Sequence, residues 1–137
     1  GIHFWGISPF HNTFFLQKKI THTLKYIAGA FYGEIIDGTK KPIFVNIDHG
    51  EDLERSMLAF IRDKGIIRLN DVALKTDYFP NSGITAYCGG KQLRKTEMVK
   101  NCLYLAEKYK DMCKYKVNKW GSTVGLNSFF SSHSIQD

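Results

Sequence analysis

Gly89-Gly90-Lys91, followed by Arg94, Lys95 and Thr96, is the spacing in this chain that most resembles an anion site. Paired glycines let backbone N–H groups converge at a helix start. The helix dipole and nearby cations then favour a phosphate. The glycine spacing is not that of a Walker loop. Cys88 beside this cluster is the cysteine whose thiolate such cations could stabilise. Projected backwards along the following helix, Lys91 and Lys95 share the side of its apolar stripe. Two lysines are not buried unpaired. Either the helix starts later, capped by Thr96, or these lysines overhang a cleft.

The charge pattern extends the same idea. Residues 91–119 hold nine of the nineteen Lys and Arg and three of the thirteen acids, a local charge of +6. The remaining ten cations and ten acids cancel, so the excess of the whole chain lies in this segment. A confined basic excess favours a polyanion partner, RNA in the first place. The plainer reading is a solvated lysine face. Gly89, Gly90, Lys91, Arg94, Lys95, Lys100 and Lys116 are the phosphate-contact candidates. Tyr104 and Trp120, both placed on polar faces, are the base-stacking candidates. Trp5 lies at the other end of the chain, and Tyr109 falls in the core phase.

Two other constellations could act on a phosphodiester. Asp48, Glu51 and Asp52, with Glu34 and Asp37 nearby in sequence, stand where a strand gives way to a helix and could hold Mg²⁺. The competing reading makes Asp48 and Glu51 a capping box. His11 and His49 are the best-placed general bases for a metal-free ribonuclease. No histidine or cysteine spacing matches a zinc site. Three function classes follow: a nucleic-acid-binding domain, a small phosphodiester-acting enzyme such as a nuclease, and a protein-interaction or structural domain of a larger assembly.

The elements that must position these residues follow from periodicity. Residues 2–7 read as an aromatic-rich strand. Asn12 caps an expected helix carrying Leu16, Ile20, Leu24, Ile27 and Phe31, with His22 and Lys18, Lys19 and Lys25 towards its polar side. Residues 33–36 suggest a short strand, and 42–47 a central one. Leu53, Met57, Phe60 and Ile61 mark a helix that stops at Gly65. Residues 66–74 form a strand or two fragments bent at Asn70-Asp71. Residues 76–83 read as a loop and 84–88 as a strand. A long helix then carries Val99, Cys102, Ala106, Tyr109 and Cys113. Residues 115–120 are a strand with Tyr115 and Val117 on one face. The Gly/Ser-rich stretch from Gly121 onwards is expected to fray.

The expected architecture is an α/β or α+β sandwich of two or three layers. It has a mixed sheet of five or six short strands and three helices. Residues 1–125 make one domain, large enough to bury a core, and 126–137 a flexible tail. No apolar run is long enough to span a membrane. Cys102 and Cys113, about 16 Å apart along one helix, cannot bridge each other. Reduced, buried thiols and an intracellular setting are expected. The start at Gly1 suggests a processed product or a domain cut from a longer chain.

Overall fold

The computed structural model describes residues 1–75, 87, 89–119 and 121–127. Phe4–Ser8 (β1), Ile20–Thr21 (β2), Tyr32–Glu34 (β3) and Ile67–Ala73 (β4) form a mixed sheet in the order β2-β4-β1-β3. β1 and β4 run parallel at its centre, and both outer pairings are antiparallel. The register jumps from Ile7 opposite Leu69 to Ser8 opposite Ala73, so the bend read at Asn70-Asp71 is a bulge. Glu51–Asp63 (α1), Lys91–Lys108 (α2), Cys113–Asn118 (β5) and Gly121–Leu126 (β6) complete the described elements. β5 and β6 pair as an antiparallel hairpin. The class is mixed α+β. The described residues contain two α-helices and one 3₁₀ turn, not three helices.

α1 forms as its spacing dictates. Leu53, Met57 and Phe60 are buried, Ile61 packs against the same core, and the first turn holds Glu51, Asp52 and Glu54. The expected capping box is absent. Gly50, in the left-handed region at φ 78°, occupies the cap position without a side-chain bond. Lys64, also left-handed, stops the helix one residue before the expected Gly65.

The expected helix over residues 12–31 is not formed. Asn12 does cap, but only the 3₁₀ turn Thr13–Phe15, accepting from the Phe14 N–H. Beyond it the backbone is captured by other partners. Asn70 donates from its backbone and its side chain to the Lys19 carbonyl. Ser56 Oγ accepts from the Ile27 N–H at 3.1 Å. Leu24 and Ile27 therefore reach the core from an irregular segment, while Ile20 and Phe31 stay exposed.

Residues 42–47 are likewise not a strand. Phe44 is 77% exposed, whereas Ile43 and Ile47 pack against the core. The backbone N–H of Asn46 bonds to Glu54 and not to a neighbouring strand. The frayed end expected from Gly121 is instead β6 up to Leu126. Val124 is buried in the same core that holds Phe4, Met57 and Leu105. The expected loop at 76–83, the strand at 84–88 and the tail beyond Asn127 lie outside the described residues, apart from the exposed Tyr87.

Candidate nucleic-acid interface

α2 begins at Lys91, immediately after the glycine pair. Gly89 has φ 77° and Gly90 φ 111°, so both need the conformational freedom of glycine. Thr96 is not the cap. It sits inside the helix, and its hydroxyl donates to the Gln92 carbonyl at 3.1 Å. The lysines on the apolar side are accommodated differently. The core contacts of α2 begin at Met98 and continue through Cys102 and Leu105. Residues 91–97 project past this region, leaving Lys91 and Lys95 exposed and Leu93 57% exposed. Gly90→Ala should cost about 1 kcal/mol, because its Cβ meets nothing and only the dihedral is strained. Urea unfolding of the variant checks this.

The first turn of α2 contains no acid. Lys91 and Lys95 therefore meet the positive end of the helix dipole with no acid in that turn. Lys100 is exposed further along the helix. β5 opens at Cys113, two residues before the expected strand, and the expected alternation holds only at Tyr115 and Lys116. Cys113 is buried and Tyr115 half-buried, while Lys114 and Lys116 face solvent. Val117, at 70%, is exposed despite its inward phase. The Lys116 side chain lies across Gly125, where an added Cβ would fall 2.3 Å from its Cε. Among the described residues, Lys91, Lys95, Lys100, Lys114 and Lys116 make no ion pair.

Lys108 is different. Its Nζ donates to the Tyr104 hydroxyl at 2.8 Å and stands 3.4 Å from Glu54 Oε1. The Tyr104 bond, then Tyr109, holds its ammonium charged well above the usual range despite some desolvation. Tyr104 is thus a lysine partner as well as a stacking candidate. Tyr109 donates to the same Glu54 oxygen at 2.9 Å. Burial and then that bond push its phenol up to about 12. Trp120 and Cys88 lie outside the described residues.

The acids do not gather in one place. Asp48 is exposed. Asp52 Oδ2 accepts from the Tyr26 hydroxyl at 2.6 Å and from the Gly29 N–H at 3.1 Å. Glu34 pairs with Arg62, and Asp37 accepts from Thr39. Among the described residues no three His, Cys, Asp or Glu side chains are grouped to hold a metal. His11 is exposed, and His49 is half-buried with its carbonyl accepting from Asn101. The expected single-helix placement of Cys102 and Cys113 is corrected, because Cys113 opens β5. Both are free and buried, and burial pushes each thiol up to about 11.

Two features were not legible from spacing. Glu54 has fully buried side-chain oxygens that serve Asn46, Tyr109 and Lys108. Its one signal was its place at positions 54, 57 and 61 of the α1 stripe. Arg68 meets the 19–25 segment only through strand register, which no local pattern reports. No helix among the described residues is long and apolar enough to cross a membrane. No protein-family model, curated protein or solved structure matches the chain.

Proposed function

We propose that this chain is a nucleic-acid-binding domain, with RNA its preferred polymer. The projecting start of α2 and the outer face of β5 contact phosphates. The observation that carries this reading is the first turns of α2. Lys91 and Lys95 stand exposed at the positive end of the helix dipole, with no acid in the first turn and no ion pair among the described residues. That arrangement is unfavourable by a few tenths of a kcal/mol per charge in isolation, and a polyanion reverses its sign. Lys100 and Lys116 add exposed charge with no ion-pair partner among the described residues. Gly89 and Gly90 supply the turn that leaves the helix start open.

The enzyme reading draws on weaker support. Asp52 is engaged by Tyr26 and Gly29, His11 is exposed, and no three acid, His or Cys side chains are grouped to hold a metal among the described residues.

Filter binding of single-stranded RNA and duplex DNA over a range of salt tests the proposal. Each phosphate contact contributes about 0.9 to the salt slope for duplex DNA and about 0.7 for a single strand. Lys91→Glu, Arg94→Glu and Lys95→Glu together should flatten the slope by about 2–3 and weaken low-salt binding at least about tenfold. RNA should bind tighter than DNA at equal salt. Absence of binding at low salt, or a triple variant that binds as wild type does, sinks the proposal.

A further inference from the structure

Away from α2, a second group of cations stands at the β2 edge of the sheet. Thr21 pairs with Arg68 across β2 and β4. The Arg68 side chain is half-buried and held in place by neutral acceptors. Its Nε donates to Asn70 Oδ1 at 2.7 Å, and its Nη1 donates to the Tyr26 carbonyl at 3.1 Å. Asn70 is itself fixed, donating to the Lys19 carbonyl and to Thr21 Oγ1. The guanidinium is therefore oriented before any ligand arrives. Its Nη2 has no hydrogen bond among the described residues.

Lys25 and Lys19 flank the backbone groups that Arg68 and Asn70 bind. Lys25 precedes the tyrosine whose carbonyl Arg68 grips, and Lys19 supplies the carbonyl that Asn70 grips. The ammonium of Lys25 is destabilised, first by partial burial and then by the charges of Arg68 and Lys19. Burial alone disfavours the charge on Arg68. Among the described residues no carboxylate pairs with any of the three. The closest acid in this bonding pattern, Asp52, is taken at the far end of the Tyr26 ring. Like charges near one another without a counterion, one of them a guanidinium held in place with its Nη2 still to donate, suit a tetrahedral oxyanion.

We propose that Arg68, Lys25 and Lys19 form a phosphate-binding site at the β2 edge of the sheet. The site takes a dianionic phosphate group, carried by a phosphorylated small molecule or by the 5′ end of a nucleic acid. Arg68 supplies Nη2 as an oriented donor, and the two ammonium groups supply charge from the flanking segment. The proposal does not rest on the polyanion reading of residues 91–119.

Inorganic phosphate, titrated against chloride at matched ionic strength, tests it through thermal unfolding. Phosphate at about a hundred times its Kd should raise Tm by roughly 5–10 °C, saturably. Lys25→Gln should weaken the apparent phosphate affinity about tenfold, as expected for one charge-assisted contact. Lys25 makes no hydrogen bond among the described residues, so this variant keeps the fold. Arg68→Lys, which retains the charge but not the fork, should weaken binding further. Lys91→Glu with Lys95→Glu should leave the phosphate shift unchanged, which separates this site from α2. Competition by a 5′-phosphorylated oligonucleotide, but not by its 5′-hydroxyl form, assigns the group to a nucleic-acid end. Competition by a nucleoside monophosphate alone assigns it to a small molecule. Equal shifts in phosphate and chloride, or a Lys25→Gln protein that responds like wild type, overturns the site.

Discussion

Glu54→Ala should lower folding stability by about 3–5 kcal/mol, the range for removing one member of a buried charged network. The Glu54 side chain has no exposed surface, yet four groups converge on it. Oε2 accepts from the Asn46 N–H at 2.6 Å, and Oε1 accepts from Asn46 Nδ2 and from the Tyr109 hydroxyl. Lys108 Nζ completes the set at 3.4 Å. The carboxylate thus joins α1 to the 42–47 segment and to the end of α2. Truncation leaves the buried Tyr109 phenol and the part-buried Asn46 N–H without their acceptor. Glu54→Gln keeps the shape and should cost less than Ala. The pH dependence has a defined sign. Burial is the largest influence on the Glu54 carboxyl and raises its pKa. The Asn46, Tyr109 and Lys108 contacts together outweigh burial and hold it below the usual value. The stabilisation is therefore present above the unfolded pKa, about 4.3, and is lost as pH falls through the lower folded value. Urea unfolding at pH 7 and at pH 3 measures both effects. A loss under about 1 kcal/mol at pH 7 would show that the network contributes little.

A second large effect is expected at the opposite end of α1. Asp63→Asn should cost about 2–4 kcal/mol and Arg62→Met a similar amount, each removing the main charged partner of the other. The Asp63 side chain is fully buried. It accepts from Arg62 Nε at 2.8 Å and Nη2 at 2.9 Å, a two-point fork. It also accepts from the His3 N–H, which fixes the approach to β1. Arg62 further binds Glu34 and the Lys41 carbonyl. Burial again raises the Asp63 carboxyl, and the Arg62 bonds, the His3 bond and the charges of Arg62 and Lys40 overcome it. Its contribution is present above the unfolded pKa, about 3.9, and fades as pH drops through the folded value. Because the two residues share one interaction, the double variant should be less destabilised than the sum of the singles by about 1–3 kcal/mol. Strict additivity would mean that the fork is not coupled.

Much of the frame was legible because it rests on local signals. The Leu53, Met57 and Phe60 spacing, the turn at Gly89-Gly90 and the alternation of Tyr115 with Lys116 each specify structure within a few residues. Where the pattern misled, a tertiary bond had replaced a local one. Leu24 and Ile27 kept their helical spacing, but Ser56 and Asn70 took the backbone groups that a helix would have used. Residues 42–47 looked like a buried strand, yet their polar backbone serves Glu54. Gly121 to Leu126 looked frayed because glycine and serine are weak strand formers. Register with β5, from Asn118 opposite Gly121 to Cys113 opposite Leu126, overrides that preference. At the basic segment the exposed charge was legible from composition. The diversion of Lys108 was readable as a four-residue spacing from Tyr104. The Arg68 cluster was not, since strand pairing alone brings position 68 beside 21.

The parallel pair at the heart of the sheet sets how the chain reaches this state. Trp5 lies opposite Ile67, so the central ladder closes only after the intervening segment has folded back on itself. Loop closure on that scale comes before its contacts reward it, which slows the search. The β5–β6 hairpin needs only neighbouring residues and can form in about 1–10 μs. α2 lies just before it and can join it early. The sheet built on β1 then becomes the late step. Slowing would thus fall on the half of the chain containing Arg68.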